Sequence, residues 1–427
     1  MVRNRSEIVG AVDFGSREVR VVVARKDDDG SIQVMGQGTA PGLGCVSQGV
    51  IQDLNAAQVA LKSALSSAER DARIHVTSLF CGINGKNVET FIREGNVRLE
   101  REVVEVQHLE EAQDIASRDI LEAGKRIVSS IAAQEWYVDD LRVIDPLGIS
   151  GQVLKTRIHF ARIPSVIEDN IVQCIESQRR ELEDIIFMPL ASAMGCLTPE
   201  DRELGVAVLD MGRTTTGLSV YRDRRIMGTA CFEWGGYHLT RDVAAGLHIS
   251  FEEADELILE YGISHEYIGM LDASRDGISR ILRNAATPIK LKTAVHGVSS
   301  VVERDELDMI IYERAHELMN KTHQYLTSRG LTKHLIRGVV LTGGSSSIQN
   351  YAKLAESVFQ VSCRTGLPTG VEIAATHARG PEFSGVIGVA RHGFDYRLAT
   401  RSGRISFRGP VAHSAKRIGE AFRKYFF

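Results

Sequence analysis

The stretches IVGAVDFGSREVRVVVA (residues 8–24) and LGVAVLDMGRTTTGLSVY (residues 204–221) open the two halves of this chain in the same way. In each, an apolar run predicts a buried strand, an Asp-x-Gly sequence follows, and a polar turn leads into a second apolar run. Asp13 and Asp210 therefore hold equivalent positions. One Asp-x-Gly after a strand indicates only a hairpin, because Asp and Gly are common in turns. Its recurrence in the second half indicates a duplicated α/β fold.

A third motif, IRGVVLTGGSSSIQN (residues 336–350), lies further along the second half. Its apolar run from Gly338 to Leu341 predicts a buried strand, and the pair Gly343 and Gly344 predicts a turn before a helix. Paired glycines let a ligand approach the backbone closely, and a helix start has unpaired amide donors. Two Asp-x-Gly hairpins and one Gly-Gly turn together predict a nucleotide-binding cleft.

The residue types in these motifs suit a nucleotide and a divalent cation. The turn amides and the hydroxyls of Ser16, Thr214 and Thr215 are donors that we expect to hold phosphates. The carboxylates of Asp13 and Asp210 are hard oxygen ligands, which we expect to hold Mg²⁺ directly or through water. The Gly-Gly turn is expected to lie against the adenosine.

The composition argues against several classes of protein. With 427 residues, 43% apolar content and a net charge of −4, the chain has room for more than one globular domain and no bias toward nucleic acid. The start MVRNRSEIVG lacks the apolar run of a signal peptide, and no segment approaches the roughly 18 apolar residues of a membrane-spanning helix. Six cysteines without a Cys-x-x-Cys pair indicate reduced thiols and no zinc site. We expect a cytoplasmic protein.

The final stretch, SAKRIGEAFRKYFF (residues 414–427), interleaves aromatic and basic residues. On a helix, one side gathers the apolar residues Ile418, Phe422, Tyr425 and Phe426. The opposite and flanking sides carry the basic residues Lys416, Arg417, Arg423 and Lys424. A basic amphipathic helix with aromatic residues is typical of an anchor on anionic membrane lipid. The alternative is that the helix packs on its own protein, but the Arg-rich, Gly-containing segment before it favours a detached element.

The three nucleotide motifs, in this order, resemble the phosphate 1, phosphate 2 and adenosine segments of the actin-like ATPase superfamily. Further stretches narrow the resemblance to the FtsA family of bacterial cell-division proteins. These are IFMPLASAMGCLTPEDRELGVAVLDMG (186–212), GGYHLTRDVAAGL (235–247) and VLTGGSSSIQNYAKLAESVF (340–359). Residues 132–154, with AAQEWYVDD and DPLGISGQVL, are similar to that family's inserted subdomain, called 1C.

The resemblance implies an α/β, actin-like (ribonuclease H-like) fold, duplicated in two domains, with an inserted subdomain 1C and a C-terminal amphipathic helix. The expected parts are domain 1A (1–83 and 163–202), subdomain 1C (84–162), domain 2A (203–232 and 334–393), helical subdomain 2B (233–333), a flexible basic linker (394–413) and a membrane-targeting helix (414–427).

Motifs and resemblance together imply one set of nucleotide-binding residues. It comprises Asp13, Gly15, Ser16, Arg17, Asp210, Gly212, Arg213, Thr214, Thr215, Gly235, Gly236, Asp255, Gly343, Gly344 and Ser345. The chain departs from the family pattern at Glu18, where relatives often carry Lys, at Arg213 and Thr214, where glycines are common, and at Ile258, where Lys is frequent. We therefore expect ATP and Mg²⁺ to bind with at most weak ATPase activity, and no catalytic residue stands out.

The function that the resemblance implies is a membrane tether of the division ring. Such a protein would bind FtsZ filaments through subdomain 2B, self-associate as an actin-like polymer or oligomer, and bind other division proteins at the midcell membrane. Two alternatives share the superfamily fold. A PilM-like pilus scaffold would have the inserted subdomain without this tail, and a sugar kinase would need a catalytic Asp beside a sugar pocket.

Overall fold

The structure, a computed structural model, describes residues 7–100, 103–118, 120, 122–128, 134–272, 288–292, 301–373 and 378–401. The strands are β1 (Glu7–Phe14), β2 (Glu18–Lys26), β3 (Ile32–Pro41), β4 (Val46–Ser47), β5 (Val50–Ile51), β6 (Ser78–Ile83), β7 (Glu89–Arg98), β8 (Lys125–Val128), β9 (Gln134–Val138), β10 (Leu141–Val143), β11 (Val153–Pro164), β12 (Glu181–Phe187), β13 (Val206–Met211), β14 (Thr216–Arg222), β15 (Arg225–Phe232), β16 (Pro288–Lys290), β17 (Val301–Glu303), β18 (Val339–Thr342), β19 (Cys363–Thr365) and β20 (Glu372–Ile373).

The α-helices are α1 (Leu54–Ala72), α2 (Val106–Ala116), α3 (Ser165–Glu176), α4 (Met188–Cys196), α5 (Pro199–Leu204), α6 (Gly236–Leu247), α7 (Phe251–Tyr261), α8 (His265–Asp272), α9 (Arg304–Ser328), α10 (Tyr351–Phe359) and α11 (Ser384–Arg401). Short 3₁₀ helices occupy Thr332–His334, Gly344–Ser347 and Pro381–Phe383. Among the described residues, no helix combines the length and apolar character needed to cross a bilayer.

The chain divides into two units. Unit 1 takes in the described residues of Met1–Gly195, Gly370–Ala378 and Gly385–Phe427, and unit 2 those of Cys196–Thr369 and Arg379–Ser384. The sheet of unit 1 has the order β12-β6-β1-β2-β3-β20, in which β1, β2 and β3 are antiparallel and β6 and β12 run parallel to β1. Helix α1 packs closely on β3. The absence of a side chain at Gly38 of β3 allows this, since a Cβ there would overlap the carbonyl oxygen of Ala64 in α1.

The sheet of unit 2 repeats this arrangement. Its order is β15-β14-β13-β18-β19, with β13, β14 and β15 antiparallel and β18 and β19 parallel to β13. Strands β3-β2-β1-β6-β12 of unit 1 have the same order and directions, so the predicted duplicated actin-like fold is confirmed. Asp13 lies beside Gly82 of β6, and Asp210 lies beside Thr342 of β18, at equivalent places in the two sheets.

Within unit 1, β7 to β11 form a separate sheet of order β10-β9-β11-β7, with β8 paired to β11. Helix α2 covers this sheet, and a Cβ at Gly95 of β7 would overlap the carbonyl oxygen of Ala112. A small core of its own includes Val97, Val138 and Leu154. This second sheet lies where the insertion was predicted.

Helices α6 to α9 supply the helical part of unit 2. The apolar side chains that join them to the sheet include Leu239, Val243, Leu257, Ile311 and Leu318, all of which belong to one continuous core. Residues 273–287 and 293–300 of the predicted subdomain 2B lie outside the described residues.

The C-terminal part of the fold differs from the expectation. Residues 394–401, predicted to begin a flexible linker, continue helix α11, because Val386, Val389, Ala390 and Phe394 bury an apolar stripe. Helix α11 also belongs to unit 1 and not to the predicted domain 2A, since Val389 lies against Gly82. The predicted linker residues 402–413 and the membrane-targeting helix 414–427 lie outside the described residues.

A second correction concerns residues 196–202, predicted to belong to domain 1A. They belong to unit 2, because the buried carboxylate of Asp201 pairs with Arg337 at 3.2 Å and with Arg364 at 2.7 Å. Asp201 also accepts a hydrogen bond from the backbone N–H of Thr198, which begins α5. One carboxylate therefore holds α5 to the end of the sheet of unit 2.

A buried hydroxyl in unit 2 predicts a stabilising substitution. The ring of Tyr351 is fully buried, and its hydroxyl has no hydrogen-bond partner among the described residues. Because an unpaired buried hydroxyl costs free energy, we expect Tyr351→Phe to raise the free energy of unfolding by about 1 kcal/mol, measured by urea unfolding. Tyr267→Phe is the matched control: its hydroxyl donates to Asp305 Oδ1 at 3.0 Å, so this change should destabilise. Equal losses of unfolding free energy in both variants would contradict an unpaired Tyr351 hydroxyl.

Candidate nucleotide-binding site

In unit 2, three turns meet at the carbonyl oxygen of Gly212. The turn between β13 and β14 closes when Gly212 N–H donates to Thr215 O at 2.9 Å. The carbonyl of Gly212 accepts from Gly236 N–H at 3.0 Å, at the start of α6, and from Ser345 Oγ at 2.9 Å, in the Gly-Gly turn. The structure thus brings together residues that the sequence placed in three separate motifs.

Two glycines are required by this close approach. A Cβ at Gly235 would lie 2.8 Å from Arg213 O and would overlap Gly212 O. Gly343 has φ of +80°, and a Cβ there would lie 2.8 Å from Met211 N. Neither position accepts a side chain unless the turns move apart. Gly344 differs, because a Cβ there would meet only Glu382 Cβ, at 3.9 Å.

The turn presents groups that suit an anion. Thr214 is half-buried and Thr215 is buried beside the backbone amides of the same turn. The 12-residue helix α6 begins at Gly236, directly against this turn, so its positive end favours negative charge. Asp210, half-buried at the end of β13, adds a carboxylate at the edge of the same group.

Arg213 and Asp255, both predicted to contact the nucleotide, contact each other. Arg213 Nη1 lies 2.7 Å from Asp255 Oδ2, and the guanidinium carbon lies 5.6 Å from the ring centre of Tyr237. The hydroxyl of Thr240 donates to the other carboxylate oxygen of Asp255. Sequence reasoning missed this pair, since the partners are 42 residues apart and only their opposite charge could have suggested it.

The departure at Ile258 has a structural reason. Its side chain is 4% exposed and belongs to the core of unit 2 on the inner face of α7. A lysine there would place its ammonium group in an apolar core. In this chain the position therefore packs the helix.

His238, which follows the paired glycines, has a structural role at the start of α6. The backbone N–H of Gly235 donates to its Nδ1 at 3.3 Å. Burial lowers the pKa of His238 from its usual value, which favours the neutral ring that accepts this hydrogen bond. The ring thus caps the helix beside the site.

The unit 1 motif forms the turn between β1 and β2. A Cβ at Gly15 would lie 2.6 Å from Glu18 O, so the turn requires glycine there, and Arg17 O accepts from Gly42 N–H at 2.9 Å. Glu18, at the position where relatives often carry Lys, pairs with Arg20 at 2.7 Å. Ser16 and Asp13 are half-buried, whereas Arg17 is exposed.

The assignment of Asp13 and Asp210 as Mg²⁺ ligands stays a prediction. Asp13 belongs to unit 1 and Asp210 to unit 2. Within the part of the chain that the structure describes, no group of three or more His, Cys, Asp or Glu side chains could hold a metal ion.

The predicted membrane-binding residues from Lys416 to Phe426 lie outside the described residues.

The two kinds of glycine predict opposite outcomes on substitution. Gly235→Ala should separate the turns and destabilise unit 2 by about 1–3 kcal/mol, because the new methyl group overlaps backbone oxygen. Gly344→Ala should leave stability within about 0.5 kcal/mol of the parent chain, since the new methyl group meets only Glu382 Cβ, at an ordinary contact distance of 3.9 Å. Urea unfolding of both variants measures the difference, and equal tolerance of the two changes would contradict the close approach at Gly212.

Comparison with known proteins identifies the family. The family model described as "Cell division protein FtsA" matches residues 207–388, and the one described as "SHS2 domain inserted in FTSA" matches residues 85–161, together more than half of the chain. Cell division protein FtsA of Pseudomonas aeruginosa is 28% identical over 393 residues, covering 92% of this chain and 90% of that protein. FtsA of Escherichia coli K12 is 25% identical over 429 residues, covering 99% of each chain.

Solved structures agree on the fold. The PilM–PilN type IV pilus biogenesis complex superposes with a TM-score of 0.58 at 14% identity, covering 90% of this chain and 98% of that one. MreB5 of Spiroplasma citri bound to ADP superposes with a TM-score of 0.53 at 12% identity, covering 93% and 98%. At such identities the likeness shows the actin-like fold alone, while the full-length relatives and both family models are those of FtsA. The chain therefore belongs to the FtsA family of cell-division proteins.

Proposed function

We propose that this chain binds ATP with Mg²⁺ and holds FtsZ filaments at the cytoplasmic face of the membrane at the division site. In this role it attaches through the C-terminal helix 414–427, binds FtsZ through the helical part of unit 2, self-associates, and binds other division proteins. The partners follow from the family, and the attachment follows from the tail.

The turns around Gly212 support nucleotide binding. The backbone amides of residues 213–215 and the hydroxyls of Thr214 and Thr215 are donors of the kind that hold phosphates, and the positive end of α6 favours the phosphate charge. Gly235 and Gly343 leave room for the backbone approach that such binding needs. A bound ATP would supply the charge that these donors neutralise. Turnover is proposed to be weak, because the chain departs from the family pattern at Glu18, Arg213 and Ile258 and no residue stands out as a catalytic base.

Attachment through the tail also needs a firm connection to the fold, and α11 provides one directly before the tail. Arg397 Nη1 donates to Ile8 O at 2.6 Å, Nη2 to Ser78 Oγ at 3.2 Å, and Nε to Glu183 Oε2 at 2.9 Å, in strands β1, β6 and β12. The Glu183 carboxylate raises the pKa of Arg397, so the charge persists. A membrane-bound tail would therefore be connected, through α11, to three strands of the sheet of unit 1.

The spacing and charge of the tail suit a surface anchor. Residues 402–413 span at most roughly 40 Å if extended, enough for the following helix to lie flat on a bilayer. Its four basic residues contribute about 1 kcal/mol each near anionic lipid, before burial of its aromatic residues. This predicts reversible binding that salt weakens.

A groove between α6 and α9 is a candidate contact surface for FtsZ. It has a volume of about 410 Å³ and is lined by Asp242, Met309, Ile310, Glu313, Arg314 and Glu317. Met309 is 48% exposed, so the groove offers apolar surface between charged groups.

Co-sedimentation with anionic vesicles tests the attachment. The full chain should pellet, and a chain ending at Pro410 should not. This truncation keeps α11 and the contacts of Arg397 and Arg401 intact. Phe422→Asp should release the full chain, because it places a carboxylate on the apolar stripe. Raising the salt concentration should reduce the pelleted fraction.

Phe427→Ala is the matched control, since Phe427 lies off the stripe of the predicted helix, and it should pellet like the parent chain. If the truncated chain pellets as well as the full chain, attachment through the tail is wrong. If neither pellets, the tail packs on protein and the tether proposal loses its main support.

A further inference from the structure

We propose that Arg213 and Asp255 form a latch that the phosphates of a bound nucleotide open, so that occupancy of the turn from Gly212 to Thr215 changes how helix α7 is held. This inference rests on the nucleotide binding proposed above. It assigns to the two residues a regulatory role within unit 2 in addition to a place beside the ligand.

The latch connects three elements of unit 2. Arg213 stands in the turn between β13 and β14, Thr240 lies on α6, and Asp255 lies on α7. Arg213 Nη1 lies 2.7 Å from one carboxylate oxygen of Asp255, and the Thr240 hydroxyl donates to the other. The same hydroxyl oxygen lies 3.1 Å from Gly236 O, in the first turn of α6. Through these contacts the phosphate-side turn holds both helices.

The side chains of Arg213 and Asp255 are largely shielded from solvent, but a single hydrogen bond joins them. The side chains of Arg213 and Asp255 are 11% and 21% exposed, so solvent screens their attraction less than it would at an open surface. Among the described residues, the guanidinium of Arg213 makes one hydrogen bond, to Asp255, and lies over the ring of Tyr237. A guanidinium has five N–H donors, and a phosphate accepts two of them in parallel. A polyphosphate at the adjacent amides therefore competes effectively with one carboxylate oxygen.

The backbone stays fixed while the side chain exchanges partners. Arg213 O accepts from Tyr237 N–H at 2.7 Å, and Gly212 O accepts from Gly236 N–H at 3.0 Å. The guanidinium can therefore change partners while the backbone of Arg213, whose own amide belongs to the turn, stays in place. Once it leaves, Asp255 keeps the bond from Thr240 among the described residues, and the ion pair no longer links α7 to the turn.

Asp255 could either compete with phosphate for Arg213 or position Arg213 for phosphate, and the two roles predict opposite changes in nucleotide affinity when its charge is removed. If phosphate must take Arg213 from Asp255, removing the carboxylate charge frees Arg213 and tightens nucleotide binding. If Asp255 merely aims Arg213 at the phosphate, the same change weakens binding. Because linkage is reciprocal, a nucleotide that opens the latch must also loosen α7.

Calorimetry of Mg²⁺-ADP binding to the full chain tests the sign. Asp255→Asn should lower the Kd by about fivefold or more. Glu69→Gln is the matched control, since Glu69 forms a similarly sheltered pair with Arg180 at 3.0 Å in unit 1, and neither residue belongs to the turn or to α7; it should leave the Kd unchanged. Thr240→Val removes the hydroxyl that steadies Asp255, and it should lower the Kd in the same direction by a smaller factor. This variant covers the case in which Asp255→Asn fails to fold.

Hydrogen exchange gives a second readout that does not depend on turnover. In the parent chain, Mg²⁺-ADP should speed exchange of the α7 amides, residues 251–261, whereas in Asp255→Asn the exchange should already be fast and should not respond. A Kd that rises or stays the same in Asp255→Asn, or α7 amides that do not respond in the parent chain, would overturn the latch alone. No binding of Mg²⁺-ADP by the parent chain would overturn the proposed nucleotide function and the latch with it.

Discussion

The carbonyl oxygen of Gly212 is the point on which the candidate site of unit 2 depends. It accepts hydrogen bonds from the first turn of α6 and from Ser345, so the turn after β13, the helix and the Gly-Gly turn share one acceptor. That sharing is possible only because Gly235 and Gly343 carry no side chain. The arrangement gathers backbone amides and threonine hydroxyls, donors of the kind that hold phosphates, at the carboxyl end of β13.

The strand pattern and the motif positions could be predicted from the sequence because they are local. Apolar runs before and after each Asp-x-Gly predicted β1, β2, β13 and β14, and their repetition predicted the two equivalent sheets. The Arg213–Asp255 pair could not be predicted, since its geometry depends on how α7 returns to the turn after 42 residues. Helix α11 was misread because its arginines suggested a solvated linker, whereas Arg397 is held by Glu183 and two strands.

The same features connect fold with function. The duplication places one Asp-x-Gly turn in each unit, and in the part of the chain that the structure describes the turn of unit 2 carries an arginine paired to the neighbouring helix. In unit 1 the last described helix is held to three strands just before the basic tail. In a member of the FtsA family built in this way, the candidate phosphate-binding turns of unit 2 carry the proposed latch, and unit 1 carries the Asp13 turn and the helix that precedes the candidate anchor. The proposed latch gives the first of these a means of affecting the helices around it.

The most direct test of phosphate binding at these turns is a crystal structure of the chain with Mg²⁺ and a non-hydrolysable ATP analogue. We expect phosphate oxygens within hydrogen-bond distance of the backbone amides of residues 213–215 and of the Thr214 and Thr215 hydroxyls, with the turns still joined at Gly212. A nucleotide whose phosphates lie away from these turns, or turns that remain empty at saturating analogue, would contradict it.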